Sequence, residues 1–180
     1  MDLLTNKKFR FENFYFLLLI TFVVAIIYID IIKKPNQFLI SAGDGLKNYY
    51  TFLYHIKNDK SFWKFDGMNY PFGENIVFTD NQPILSNSIK LIHNISPSID
   101  CNLIAIHNYF LIFGLILGGL GFFLVLRQLK IDFVFASIIT IGLILLNPQI
   151  PRFNGHYGLF YPTLSWLFLF QLKMLIMHIF

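Results

Sequence analysis

The sequence has very few charged residues and a single cysteine. Asp, Glu, Lys and Arg make up 13% of its 180 residues, whereas hydrophobic residues make up 56%, and the mean hydropathy is +0.59. This composition is too apolar for an ordinary soluble domain of this length, so it indicates a membrane protein. The lone Cys101 excludes an internal disulfide and a cysteine-based metal cluster.

Several patterns that would indicate other functions are also missing. The formal charge of +4 is not arranged as a stripe of Lys and Arg between stacking aromatics, so nucleic acid is not a predicted partner. The five histidines have no metal-ligand spacing, which argues against a zinc site. The chain has no internal repeat, low-complexity linker or domain boundary, so residues 1–180 are predicted to form one transmembrane domain.

Four apolar runs are present, and their lengths approach the roughly 20 residues that a helix needs to cross a bilayer. They cover about residues 14–32, 102–126, 131–146 and 159–180. The predicted fold is therefore an all-α, polytopic membrane helix bundle. We number these runs as spans one to four. Span two, residues 102–126, carries glycines about one turn apart, which predicts close helix packing: Gly114, Gly118, Gly119 and Gly121. Because the last run reaches Phe180 without a polar tail, we expect the amino-terminal part of a longer protein.

The basic residues predict the orientation of these spans. Lysines and an arginine precede span one, and Arg127 and Lys130 lie between spans two and three. Short basic connections stay in the cytoplasm, so the amino terminus is predicted to be cytoplasmic. The polar loop of residues 33–101 and the connection holding Arg152 and His156 then open on the same outer face.

The polar loop is predicted to contain two amphipathic helices that lie along the membrane surface. Apolar residues recur at helical spacing over residues 46–56. A second helix is predicted after Pro83, with Asp80 or Asn81 as its cap and an apolar face of Ile84, Leu85, Ile89 and Ile92. Between the helices, Gly and Pro over residues 69–75 predict an ordered loop.

Two aspartates of this loop are the candidate catalytic residues. Asp44 stands between Gly43 and Gly45, which let a substrate approach its carboxylate closely, although an Asp there can equally cap the next helix. Asp80 has the same two interpretations. Brought together, the two carboxylates could serve as general base and divalent-cation ligand, or could share a proton.

Six further residues are candidate substrate-binding groups: Lys47, Asn69, Glu74, Asn81, Arg152 and His156. Arg152 suits a phosphate because its guanidinium offers a fork of donors, and an interfacial anchor is the alternative. His156 could donate to a hydroxyl or phosphate oxygen, or be structural. Asn69 and Asn81 could contact a sugar or be ordinary turn residues, and Glu74 could be a solvated loop residue.

The order of these features resembles the glycosyltransferase C superfamily, and the segments GDGLKNYY, GMNYPFGE, TDNQP and RFNGHYGL look like patterns in bacterial membrane proteins of this type. The resemblance covers almost the whole chain, as the amino-terminal part of a longer enzyme. It implies multi-pass insertion in the bacterial cytoplasmic membrane. It also implies transfer of a sugar from a polyprenyl-phosphate carrier to an outer-face acceptor, which the sequence does not identify.

In that scheme Asp44 is the general base, Lys47 and Arg152 hold the carrier phosphate, and Asp80 orients the acceptor or His156. Asp80 is not part of an Asp-x-Asp pair, so dependence on a divalent cation stays open. Two other functions are weighed against the enzyme. One is a channel or transporter component, because glycine-rich spans and intramembrane carboxylates also serve ion pathways. The other is a non-catalytic envelope assembly subunit with the loop as a docking surface.

Overall fold

A computed structural model describes residues 7–40 and 43–146. This part of the chain contains six α-helices, two short 3-10 helices and one two-stranded hairpin. The α-helices are α1 Lys7–Ile27, α2 Ile29–Lys33, α3 Gly43–Lys57, α4 Pro83–Ile95, α5 Leu103–Gln128 and α6 Phe133–Leu146. The strands are β1 Lys64–Phe65 and β2 Glu74–Asn75, and the 3-10 helices are Ile76–Phe78 and Pro97–Asn102.

The predicted helical fold is confirmed, because helices account for most of the described residues. The first predicted span is occupied by α1 and α2, the second by α5 and the third by α6. The fourth predicted span lies outside the described residues. Within the described ranges, one helical stretch, Pro97–Gln128, is long and apolar enough by length and composition to cross a membrane. Phe11–Ile27 and Phe133–Leu146 are shorter apolar helices.

The chain divides into two compact units, which are described separately. The first unit, residues 7–32 and 110–146, has an apolar core to which α1, α5 and α6 contribute. In this core the rings of Phe16 and Phe123 stack with their centroids 4.0 Å apart. Arg127, near the end of α5, forms an ion pair with Glu12 of α1 and donates to the Ile131 carbonyl at 2.6 Å. Both ends of this guanidinium are therefore held within the unit.

Gly119 shows why α5 carries small residues. A Cβ atom added at this position would lie 2.3 Å from a methyl group of Ile144 and 3.2 Å from Ile20. Real Cβ atoms do not approach other atoms so closely, so only glycine lets these helices pack at this distance. The prediction of close packing is confirmed at this position.

The second unit comprises residues 33–109. Its apolar core is the buried cluster of Phe52, Ile56, Ile89 and Leu103, which joins α3, α4 and the start of α5. Tyr49 in α3 donates its hydroxyl to the Oδ1 atom of Asn108. Asn108 in turn donates to the carbonyls of Pro35 and Gln37 at 2.7 and 2.8 Å. These bonds fix the segment before α3 to the beginning of α5.

The start of α4 differs from the prediction. Gln82 is the N-cap residue, with no side-chain capping bond, and Pro83 occupies the first turn. Neither Asp80 nor Asn81 caps this helix, because the Asp80 carboxylate faces Lys47 and the Asn81 Oδ1 accepts a hydrogen bond from the Gln82 N–H at 2.6 Å. The capping prediction was therefore wrong.

The predicted apolar face of α4 is divided between the interior and the surface. Leu85 and Ile89 pack in the core of the second unit, whereas Ile84 is 83% exposed. The exposed residues form a stripe along the helix: Ile84, Leu91, Ile92 and Ile95. The inner side carries Ser86 and Lys90, both fully or almost fully buried. A helix that carries apolar groups on its outer side as well as in the core suits an apolar surrounding on its outer side.

Candidate functional site

A lysine and an aspartate from distant parts of the polar loop meet in an ion pair. The Lys47 ammonium in α3 donates to the Oδ2 atom of Asp80 at 2.8 Å, across 33 residues of sequence. Both side chains are 36% exposed, so the pair lies at a surface that solutes can reach. Asp80 has a φ of 59°, a left-handed conformation that Asp tolerates better than most residues. The two loop ends that carried separate predictions thus converge here.

Two further carboxylates act on the same lysine. The hydrogen bond with Asp80 raises the pKa of the Lys47 ammonium above its ordinary value of 10.5, and the charges of Asp44 and Glu74 raise the pKa further, while partial burial opposes them. Lys47 is therefore protonated at neutral pH. The Asp80 carboxylate contacts the Lys47 ammonium, and the charges of Asp44 and Glu74 act on it electrostatically. We call these four residues the Lys47 cluster: Asp44, Lys47, Glu74 and Asp80. Its formal charge is negative, which favours proton acceptance from a hydroxyl group.

The two candidate asparagines have different surroundings. Asn69, which is exposed, donates its amide to the Glu74 carboxylate at 3.0 Å. Asn81 is buried, and its amide donates to the Thr51 carbonyl at 3.1 Å while its oxygen accepts from the next backbone N–H. Asn69 thus orients a member of the Lys47 cluster, and Asn81 holds the segment after Asp80 against α3.

Asp44 lies in the first turn of α3, one residue after Gly43, whose φ is 58°. Its carbonyl accepts a hydrogen bond from the Asn48 side chain at 2.7 Å, and its own side chain is exposed. A carboxylate at this end of a helix is favoured by the positive end of the helix dipole. Asp44 is thus inside the helix instead of capping it from outside.

An apolar cavity of about 470 Å³ runs beside the Lys47 cluster. Lys47 lies on its wall, and the other lining residues are glycine, apolar or aromatic: Phe38, Gly43, Leu46, Tyr49, Tyr50 and Leu53. A single ammonium at the edge of a hydrocarbon-like groove suits a ligand with an anionic head and an apolar chain.

Arg152 and His156 lie outside the described residues, so the predicted approach of Asp44 to them stays a prediction. No three His, Cys, Asp or Glu side chains of residues 7–40 and 43–146 are grouped to hold a metal ion. Dependence on a divalent cation also stays open.

Comparison with known families gives one assignment. Residues 16–178 match the family described as Domain of unknown function (DUF6311). The chain belongs to this family. No curated protein and no solved structure matches this DUF6311 chain. The match includes every residue of the Lys47 cluster.

The sequence reasoning missed a buried polar network beside the cluster. His55 is fully buried, with its Nδ1 atom 2.7 Å from an Asp59 carboxylate oxygen and its Nε2 atom 2.9 Å from the Asn87 Oδ1. The Asn87 amide donates to the Phe62 carbonyl at 3.1 Å, so its oxygen faces the histidine. The two ring nitrogens therefore face the Asp59 carboxylate and the Asn87 amide oxygen, and these contacts fix the orientation of the imidazole.

The same network is extended by a buried lysine. Lys90, 2% exposed, donates to the Ser61 carbonyl at 2.6 Å and lies 5.2 Å from the centre of the Phe62 ring. Burial lowers the pKa of Lys90, and the charge of Asp59 partly opposes this. The network joins α3 and α4 to the segment before β1. The available sequence signal was the i, i+4 spacing of His55 and Asp59 at the end of a helix.

Proposed function

We propose that this chain belongs to an integral membrane glycosyltransferase that moves a sugar from a polyprenyl-phosphate carrier to an acceptor on the outer face of the bacterial cytoplasmic membrane. The observation that supports it most is the Lys47 cluster. Helix α3 and the segment before α4 place an exposed carboxylate, an ion-paired ammonium and an apolar groove in the same unit. Such a transfer needs a base, a phosphate contact and room for a lipid.

The proposed reaction inverts the configuration of the sugar at its anomeric carbon. Asp44 takes the proton of the acceptor hydroxyl while its oxygen attacks the anomeric carbon, and the bond from that carbon to the phosphate oxygen breaks. The polyprenyl phosphate leaves with the bonding electron pair. Lys47 and Arg152 balance the charge on the leaving phosphate, and Asp80 holds Lys47 and orients the acceptor or His156. The Lys47 ammonium has three donors, so the bond to Asp80 leaves two for the phosphate.

The accompanying topology is about four membrane spans with a cytoplasmic amino terminus and the polar loop outside. Its support is the apolar outer surface of the first unit. Large side chains on α1 and α6 are well exposed, including Phe22 at 65% and Phe135 at 66%. Helices that are apolar on their outward sides as well as in the core are typical of proteins in lipid. Phe11–Ile27 is also near the lower limit of about 17 residues for a span.

The decisive experiment measures turnover of radiolabelled polyprenyl-phosphate sugar by the full-length protein in membranes. Asp44→Asn is expected to lower the rate at least 100-fold without loss of membrane insertion, because a general base contributes about 10²–10⁴-fold. Asp30→Asn is the matched control, since Asp30 is an exposed carboxylate of α2 and does not act on Lys47. Full activity of Asp44→Asn would reject the assignment of Asp44 as the general base. Absence of turnover in the unaltered protein would reject the proposed glycosyltransferase function.

A further inference from the structure

A second cavity lies at the hairpin, apart from the apolar groove. It is open, has a volume of about 350 Å³ and is lined by residues of β1, β2 and the segments that flank them. Two of these residues are Trp63 and Phe72, which are 66% and 82% exposed. Large aromatic side chains held at the rim of a polar cavity are unfavourable in water unless a ligand covers them.

The polar groups of this cavity are held in place by the hairpin. The Ser61 hydroxyl oxygen accepts hydrogen bonds from the backbone N–H groups of Trp63 and Lys64 at 3.1 Å, so its hydrogen is directed to another acceptor. Asn75 accepts from the Val77 N–H through its oxygen, which leaves its amide hydrogens as donors. The cavity therefore offers a hydroxyl, an amide and a carboxylate beside two aromatic faces.

The charges of the cavity favour a neutral ligand. Lys64 is paired with Asp66 at 2.9 Å, and Glu74 accepts from Asn69. An anion would therefore find no unpaired positive charge on Lys64, and the Glu74 carboxylate, held by the neutral Asn69 amide, can accept a hydrogen bond from a ligand hydroxyl. Aromatic faces combined with amide, hydroxyl and carboxylate groups suit a pyranose ring, whose C–H face stacks on an aromatic ring while its hydroxyls form hydrogen bonds.

Glu74 connects this cavity with the Lys47 cluster. Glu74 lines the cavity, and its negative charge raises the pKa of Lys47. We propose that the hairpin cavity binds a neutral saccharide, stacked on Trp63 and Phe72, and that this saccharide is the acceptor. The acceptor role depends on the proposed function, whereas the binding itself does not. A sugar in this cavity contacts Glu74, whose charge also acts on Lys47 of the cluster.

The test uses the fluorescence of Trp63 in the full chain. The sequence has two tryptophans, so Trp166→Phe leaves Trp63 as the single reporter. The protein is placed in lipid nanodiscs or a sugar-free detergent, because maltoside and glucoside detergents would compete. It is titrated with cellotriose, chitotriose, mannotriose and galactotriose. At least one trisaccharide is expected to cause a saturable change in emission.

Two variants identify where the sugar binds. Phe72→Ala is expected to weaken binding about tenfold, the loss of one stacking contact. Phe78→Ala is the matched control, because Phe78 is a nearby aromatic, 73% exposed, that is not among the lining residues. It is expected to bind as tightly as the parent protein. No saturable response to any of the four sugars, or equal weakening by both variants, would overturn the proposal.

The membrane is the other surface that exposed aromatics could contact. If Trp63 emission shifts on addition of phosphatidylglycerol vesicles to detergent-solubilised protein but not with any sugar, the cavity faces lipid and the proposal is wrong. The titration needs no lipid-linked donor. Sugar binding without transfer would thus reject only the proposed function, and transfer without sugar binding would reject only this site.

Discussion

Two aspartates of the second unit are expected to differ sharply in what they contribute to stability. Asp59 pairs with His55 where both side chains are almost inaccessible, at 1% and 0% exposure, whereas Asp80 pairs with Lys47 at 36% exposure of each. Removing one partner of a buried, hydrogen-bonded pair costs about 1–3 kcal/mol, and about 3–5 kcal/mol where both groups are charged, because the other group stays buried without its partner. An exposed pair contributes only about 0.2–1 kcal/mol.

The substitutions Asp59→Asn and Asp80→Asn test this difference in stability, because each removes a carboxylate charge with almost no change in side-chain size. Asp59→Asn keeps an acceptor for the Asp66 N–H, which the Asp59 carboxylate now receives at 3.0 Å, so its cost is expected near 3 kcal/mol. Asp80→Asn is expected to cost less than about 1 kcal/mol of unfolding free energy, and yet to lower sugar transfer at least tenfold.

The free energy of unfolding is measured by denaturant titration in detergent micelles, followed by circular dichroism, and transfer is measured on the same preparations. The two variants should fall on opposite sides of 2 kcal/mol. Equal costs would show that burial does not distinguish the two pairs. A large loss of unfolding free energy in Asp80→Asn would show that the Lys47–Asp80 pair stabilises the fold, and would contradict its assignment to sugar transfer.

Three other outcomes are expected. Gly119→Ala should destabilise the first unit by about 1–3 kcal/mol in the same titration, whereas Gly142→Ala, with nothing within 4 Å of an added Cβ, should be neutral or slightly stabilising. Burial lowers the pKa of Lys90, so the unfolded chain binds more protons than the folded chain as pH rises towards 10.5. The free energy of unfolding of the parent protein should therefore increase relative to that of Lys90→Met over this pH range, and a constant difference between the two proteins would contradict this. In intact cells, an impermeant maleimide should label Cys101, the exposed lone cysteine, but should not label a cysteine introduced at Lys130 in a Cys101→Ser background; the reverse result would invert the topology.

Helix positions could be predicted from the sequence because their signals are local. Apolar runs, glycine spacing and the Pro83 start each depend on neighbouring residues, and the structure places helices there. The hairpin was not predicted, since two-residue strands leave no periodic pattern to detect. Its register is instead set by the turn before Glu74, where Gly73 has a φ of 69°.

The candidate site was predicted residue by residue, but not its geometry. Asp44, Lys47, Glu74 and Asp80 were chosen from their positions next to glycines and turns, and nothing local showed that they would meet. Their convergence depends on the packing of α3 against α4, which the apolar periodicity indicates only in part. The buried network of His55 was missed for the same reason, because Asn87 comes from a different helix.

The exposed apolar stripe of α4 has a practical consequence for expression. Residues 33–109, produced without the flanking helices, would carry a row of isoleucine and leucine side chains into water, with Ile84 and Ile95 more than four-fifths exposed. The trimmed piece would self-associate, and washing it with stronger buffer salts would worsen the problem, because salting-out favours apolar contact. Purification of this half therefore requires amphiphiles from the first step of cell lysis.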